Sequence, residues 1–178
     1  MLEKKEQLNF DAINKHAKAI ADFIEAKKSK IINTLLCYET YQVAIDEIGR
    51  TLDLLRSLFE NSEYFKEKIE GVATFLPSNQ PLYAFFCFAV IPSFMSKEVY
   101  VKAPEVMGRF FFDLMDVLEL RHNFPNIHVS AKKRSDFLIE VTATRLDKVT
   151  NTIYPITDAV IFTGTMKNAD KIRKLFNP

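Results

Sequence analysis

Val72-Ala73-Thr74-Phe75-Leu76-Pro77-Ser78-Asn79-Gln80-Pro81-Leu82 is the stretch on which the fold turns. Val72 to Leu76 is a short apolar run stopped by turn formers, the pattern of a buried strand. Pro81 then suits the first turn of a helix, where its fixed φ is already helical and its missing N–H costs nothing. The stretch therefore reads as strand, polar corner, helix, with the helix expected to run to about Phe94. Downstream the same rhythm returns. Val99 to Val101 reads as a second strand stopped by Pro104, and Glu105 to about Glu119 as a helix with Phe110, Phe111, Leu114 and Leu118 on one face. Glu105 would stand at the positive end of that helix dipole. Ile127 to Ser130 is a third strand and Ala159 to Phe162 a further buried one, followed by the turn Thr163-Gly164-Thr165 and a last helix carrying Ala169, Ile172, Leu175 and Phe176. Short apolar runs alternating with helix-length segments predict an open, mostly parallel α/β sheet. Residues 131–155 fit helix or strand equally well, and only structure of some kind is expected there.

Upstream, the chain reads as two amphipathic helices. The first begins after Asn9 to Asp11, with Phe10, Ile13, Ala17, Ile20 and Ile24 on one face. The second runs from about Thr40 to Phe59 along Ile45, Ile48, Leu52, Leu55 and Phe59, and Asn61 and Ser62 offer a further cap. The division expected is a helical segment over 1–70 and an α/β domain over 71–178.

Composition narrows the functions. Lys+Arg 24 against Asp+Glu 23 leaves a formal charge of +1, so no global field draws the chain onto nucleic acid or an anionic membrane. The four glycines, at 49, 71, 108 and 164, cannot form G-x-G-x-x-G or a P-loop. Cys37 and Cys87 are too few for a disulfide framework and lack the neighbours of a zinc site, which points to a reducing, cytoplasmic setting. The uncharged stretch Gly71 to Ser96 holds an apolar run, Leu82 to Ile91, about half the roughly 20 residues of a spanning helix. A buried helix is expected there, and no secretory leader is visible at Met1-Leu2-Glu3-Lys4-Lys5.

Three strand-to-helix corners could carry chemistry: around Ser78 and Asn79, around Lys102 to Glu105, and around Gly164 and Thr165. Open α/β sheets bind ligands at the carboxyl ends of their strands, where helix N-termini present free N–H groups. Gly164 would permit close backbone approach, Thr165 adds a hydroxyl, Lys102 a positive charge, and Glu105 can accept two sugar hydroxyls. The expected guest is a ribose with a pyrophosphate. The bland alternatives are an ordinary Gly-Thr turn and a solvated lysine beside a proline.

The three corners, in this order, resemble the aldehyde dehydrogenase superfamily. Its Pro-x-Asn-x-Pro-Leu element is matched by Pro77 to Leu82, its Lys-x-x-Glu by Lys102-Ala103-Pro104-Glu105, and its Phe-Thr-Gly-Ser/Thr by Phe162-Thr163-Gly164-Thr165. The segment Ala44-Ile45-Asp46-Glu47-Ile48 looks like part of the family's N-terminal helices. The resemblance implies an incomplete Rossmann-like domain binding NAD, with NADP also open. Asn79 would donate to a developing oxyanion, Lys102 and Glu105 would hold the adenosine ribose, and Ser78, Gly164 and Thr165 would lie against the cofactor. It also implies a small aldehyde or acyl substrate, oxidised through a thiohemiacetal and hydride transfer.

The departures are as informative. The family's oligomerising hairpin before the Asn motif has no room between Phe59 and Val72, a departure that bears on family-style dimer contacts; a homo-oligomer is among the expected partners. The Gly-rich turn after the third strand is replaced by Ala131-Lys132-Lys133-Arg134, expected to be solvated rather than phosphate-binding. Both features look more like the acyl-CoA reductase branch. The family's general-base Glu and nucleophilic Cys, which follow these motifs, have no counterpart. Cys87, within Phe85-Phe86-Cys87-Phe88, and Cys37 both read as buried filler. His16, His122 and His128 read as surface or capping residues. Two functions follow: the cofactor-binding portion of an NAD(P)-dependent oxidoreductase, or a non-catalytic nucleotide-binding or protein-interaction module on the same scaffold. An unpaired sheet edge or uncovered apolar face beside Ala159 to Phe162 would favour the first.

Overall fold

A computed structural model of the chain describes residues 6–147 and 152–176. Asn9 caps α1 (Phe10–Ala26) as its sequence suggests, its side-chain oxygen accepting the Ala12 N–H at 3.1 Å. The chain breaks at Lys27 and resumes as α2 (Lys28–Leu35), so three helices, not two, precede the sheet. The third, α3 (Tyr41–Arg56), buries Ala44, Ile48, Leu52 and Leu55. It stops before Phe59, which is 54% exposed, and two short 3-10 turns within Leu58–Tyr64, separated by a kink at Asn61, follow it.

The sheet follows. β1 (Ile69–Phe75) leads through the Pro77 to Gln80 corner into α4 (Pro81–Phe85). The helix continues as a π-helical stretch, Phe86–Val90, and a final turn, α5 (Ile91–Ser93). Where the wider turn closes, the Ile91 N–H donates to the Phe86 carbonyl, just ahead of Pro92, which has no N–H to donate. β2 (Ser96–Lys102) is followed not by one helix from Glu105 but by a 3-10 turn, Glu105–Met107, and then α6 (Gly108–Val117). Gly108 supplies the break with φ of +50°. Glu105 therefore sits on the turn and not at the head of α6.

After α7 (Leu120–Asn123) and β3 (Ile127–Ser130), the ambiguous segment resolves into α8 (Arg134–Val141) and an antiparallel pair, β4 (Thr144–Asp147) with β5 (Thr152–Pro155). β6 (Ala159–Phe162) and α9 (Met166–Phe176) complete the described chain.

The four main strands are parallel in the order β3-β2-β1-β6. Alternate side chains face opposite layers, as strand geometry requires. Val72, Val99, Val101 and Ile127 join a large core with α1 to α7, whereas Ala73 and Phe75 pack with Phe137, Val141 and Ile172 of α8 and α9. β6 is held beside β1 by a tight crossing at Gly71. A Cβ there would lie 2.0 Å from the Ile156 carbonyl oxygen, and the Asp158 N–H donates to the Gly71 carbonyl at 2.8 Å. The Asp158 carboxylate in turn accepts the Glu70 N–H at 2.6 Å. Among the described residues no helix is long and apolar enough to cross a membrane.

Candidate functional site

The chain winds outward from β1 through β2 to β3, then returns to β1's other side as β6. Between β1 and β6 the winding direction reverses, and at such a point the loops leaving neighbouring strands diverge and open a crevice at their carboxyl ends. Phe75 pairs in register with Lys102 on one side and Phe162 on the other, so the strand ends lie abreast. A crevice of about 230 Å³ opens there, walled by Phe75, Lys102, Glu105, Arg134, Phe162 and Thr163 among others.

Lys102 is only 7% exposed. Its ammonium donates to the Ala103 carbonyl at 2.8 Å and lies 3.9 Å from the Glu105 carboxylate, itself largely in solvent. Burial of the side chain pushes the ammonium's pKa down, with Glu105 opposing that shift. Lys102 is thus a half-desolvated cation with a single hydrogen bond to a neutral oxygen, a state that favours an incoming anion.

Arg134 opens α8, and its guanidinium carbon lies 5.8 Å from the Phe75 ring centroid and 5.6 Å from that of Phe162. The two rings meet at 5.9 Å and 68°. The planar cation covers both aromatic faces at the crevice wall. This corrects the expectation that the run from Ala131 to Arg134 is solvated throughout. Lys132 does lie on the surface, paired with Glu140 at 3.0 Å, but Arg134 belongs to the crevice. Its signal in the sequence was weak because a cation in a basic run is usually solvated. Only the aromatic pair from two distant strands makes it different.

The other expected residues, Ser78, Asn79, Gly164 and Thr165, are not among those that wall the crevice. Gly164 and Thr165 are exposed. The space a Cβ would take at Gly164 is filled by the Phe162 ring, 2.6 Å from the ideal position, so this glycine admits a side chain of its own fold. The Thr165 carbonyl accepts the N–H groups of Asn168 and Ala169, which starts α9. Thr163 ties the corner down, its hydroxyl donating to the Phe75 carbonyl at 3.2 Å.

Ser78 and Asn79 are exposed on the first corner, which the N-terminal helices hold at three points. The Tyr38 hydroxyl donates to the Ser78 carbonyl at 2.8 Å, and the Arg50 guanidinium donates to the Gln80 side-chain oxygen at 3.0 Å while covering the Tyr83 ring at 3.8 Å. Glu47, fully buried, accepts the Tyr83 N–H at 2.8 Å. Gln80 itself is left-handed, with φ of 52°. Burial, reinforced by the neighbouring Glu39 carboxyl, pushes the Glu47 pKa up to about 8. Sequence reading did not single out Glu47, since a glutamate on an amphipathic helix gives no sign that it faces inward.

Neither cysteine is set up as a nucleophile. Cys37 is exposed rather than buried, and its thiol donates weakly to the Asn33 carbonyl. Cys87 is half-buried in the π-helical stretch, where burial pushes its thiol up. His128 pairs with Glu98 at 2.5 Å and stacks on Tyr100, while His16 meets Phe94 edge-on. Among the described residues no group of three His, Cys, Asp or Glu side chains could hold a metal ion.

The arrangement is similar to that of solved aldehyde dehydrogenase structures. An NAD-dependent benzaldehyde dehydrogenase from Corynebacterium glutamicum matches at TM-score 0.65 and 14% identity, over 92% of this chain and 38% of that one. This is the aldehyde dehydrogenase fold, in part. Glyceraldehyde-3-phosphate dehydrogenase GapN from Methanocaldococcus jannaschii, complexed with NADP, matches at 0.65 and 16% over 95% of this chain and 40% of that one. Staphylococcus aureus AldH in a substrate-bound state matches at 0.66 and 13%, over 96% and 40%. The chain thus spans about two-fifths of the length of these structures. No family model matches the sequence, and no curated protein does.

Proposed function

We propose that this chain is the cofactor-binding portion of an NAD(P)-dependent aldehyde or acyl oxidoreductase and holds a dinucleotide across the carboxyl ends of β2, β1 and β6. The observation that carries the reading is the crevice at the winding reversal, where Lys102 and Arg134 bring two cations to one aromatic-walled opening. A phosphate-bearing ligand with a ring to stack fits that donor set: the cations answer its negative charge, and Glu105, beside Lys102 and largely in solvent, can accept ribose hydroxyls. In this reading Lys102 and Glu105 bind the adenosine ribose, Ser78, Gly164 and Thr165 approach the cofactor's phosphates, and the Asn79 amide donates to the oxyanion of a reacting carbonyl. When bound, a nicotinamide dinucleotide supplies the hydride acceptor or donor.

The thiolate that attacks a small aldehyde or acyl substrate has to come from outside the residues described, because Cys37 and Cys87 are poorly placed for it. β6 has β1 as its one described neighbour, and beside it a groove of about 660 Å³ runs between β6 and α9, with Met166 78% exposed at its rim. A strand edge with no described partner, beside a groove lined by Val160, Phe162 and Met166 as well as Asp158 and Arg173, favours a further segment completing the sheet. The acyl-CoA reductase branch, a cytoplasmic setting and a homo-oligomer belong to the same proposal. A second reading, a non-catalytic nucleotide-binding or protein-interaction module, draws on the unsuitability of both thiols.

Isothermal titration of the chain with NAD and with NADP tests the binding claim. Heat with either supports it, and the stronger ligand assigns the cofactor, since the Glu105 carboxylate disfavours a 2′-phosphate that Arg134 would attract. No heat with either removes the dinucleotide from both readings.

A further inference from the structure

Two carboxyl oxygens, one from Glu39 and one from Glu47, are buried without a hydrogen-bond partner. Glu47, on α3, directs one oxygen to α4, where it accepts the Tyr83 N–H at 2.8 Å with the Leu82 N–H also bearing on it. Its other oxygen, Oε1, is buried and unbonded to any donor, and so is Oε1 of Glu39, from the turn between α2 and α3. The two side chains are within hydrogen-bonding reach of each other. Two carboxylates cannot hydrogen-bond, because each offers only acceptors. One proton between them satisfies both orphaned oxygens and removes the repulsion.

We infer that Glu39 and Glu47 share one proton, and that this pair, acting through the first amides of α4, sets the position of the corner that carries Asn79. Glu47 is then a positioning residue: it touches α4, and α4 begins directly after Gln80. On α3, Asp46 and Arg50 pair with each other at 3.7 Å, and Arg50 spends its remaining contacts on Gln80 and the Tyr83 ring. From the α4 side come the Tyr83 hydroxyl and the Cys87 thiol, which bear on one another and on Arg50. α6 contributes uncharged Phe110, stacked on Tyr38 at 4.7 Å. Among these groups Glu39 is the one whose charge bears on Glu47.

Loss of the shared proton places two negative charges in a buried site. The pair must then separate or admit water, and α3 shifts against the helix it caps. The corner and the start of α4 are tied to α3 and the turn before it through Tyr38, Arg50 and Glu47, so they move with them. The device acts whether or not a dinucleotide binds, and it goes beyond the cofactor assignment.

The test is a pH titration of the full chain, uniformly labelled with nitrogen-15, following the backbone amides of Asn79, Leu82 and Tyr83 and the Asn79 side-chain amide. In the wild type all of them move together through one transition in the region of pH 8. Glu47→Gln keeps an oxygen that accepts the Tyr83 N–H, so it holds the signals at their low-pH positions and abolishes the transition. Glu39→Gln replaces the neighbouring carboxylate with a neutral amide that can donate to Glu47, so Glu47 ionises at lower pH and the midpoint moves down by at least one unit. Flat wild-type shifts from pH 6 to 9.5 overturn the inference. So does a transition that survives unchanged in Glu47→Gln, or one that moves Leu82 and Tyr83 while leaving Asn79 still. The wild-type titration alone decides the matter if either variant fails to fold.

Discussion

Lys102 and Phe162 stand on opposite sides of one residue, Phe75, the first in β2 and the second in β6. A cation and an aromatic wall reach the same crevice because β1 lies between two strands that leave it in opposite directions. Arg134 then closes over both rings from α8.

Replacing either cation should weaken dinucleotide binding and leave the fold intact. Lys102→Met keeps the buried stem and removes the ammonium. A hydrogen bond involving a charged group contributes about 1.5–3 kcal/mol, so the dissociation constant should rise roughly tenfold to a hundredfold. Arg134→Ala should also reduce the salt dependence of binding. Unchanged affinity in both variants, measured by calorimetric titration, would put the ligand elsewhere.

Two glycines should answer substitution differently. A Cβ at Gly71 meets a backbone carbonyl oxygen at 2.0 Å, and neither strand can yield without breaking the crossing that holds β6 to β1. Gly71→Ala should cost about 3 kcal/mol and lower the melting temperature by roughly 6–12 °C. At Gly164 the obstacle is the tip of the Phe162 ring, 2.6 Å away, which can rotate. Gly164→Ala should lower stability less, by about 1 kcal/mol, and act mainly by pushing the ring towards Arg134 and narrowing the crevice. Thermal unfolding of both variants reads the difference; equal losses would contradict it.

Stability should fall as pH rises from about 4.5 to about 8. The Glu47 carboxyl keeps its proton to about pH 8 in the folded chain but loses it near 4.5, the ordinary glutamate value, in the unfolded one. Between those values the folded state binds more protons, so raising the pH favours unfolding. The effect ends above pH 8, where both states are ionised. Glu70 pulls the other way at lower pH: hydrogen bonding to Lys97, with further help from Arg145, holds its carboxyl below the usual range, and its contribution is lost only on acidification. Glu47→Gln should flatten the fall between pH 5 and 8 and leave the acid limb. A wild-type melting temperature that rises across that window would sink the assignment.

Breaking the first helical cap should be a smaller, local loss. Asn9→Ala leaves the Ala12 N–H without its acceptor and should cost about 1 kcal/mol. Amide exchange in the first turn of α1 should accelerate, with little change at β1.

Much of this molecule could be read along the chain. Ile127 to Ser130 and Ala159 to Phe162 form strands where their apolar runs predicted them, and Pro81 opens a helix, because these features depend on neighbours a few residues away. Helix ends were less legible. The break at Lys27, the stop of α3 before Phe59 and the positive φ at Gly108 follow from where each segment meets another, which local periodicity does not encode. Residues 131–155 were ambiguous for the same reason. Phe137 and Val141 are buried by Phe75 and Ile172, and nothing in the segment itself fixes α8 as a helix.

By itself the sequence determined the alternation of strand and helix and the three polar corners between them, since hydrophobic spacing and the backbone limits of proline and glycine are properties of short stretches. Which corners share a crevice was decided only by the tertiary structure. The return of β6 to the far side of β1 brings Phe162 and Thr163 to the crevice that Lys102 and Arg134 also wall, and leaves Asn79 and Gly164 out of its walls. The same packing turns Glu47 inward onto α4, because a side chain's burial and charge state depend on the surface set against it, which no local pattern records.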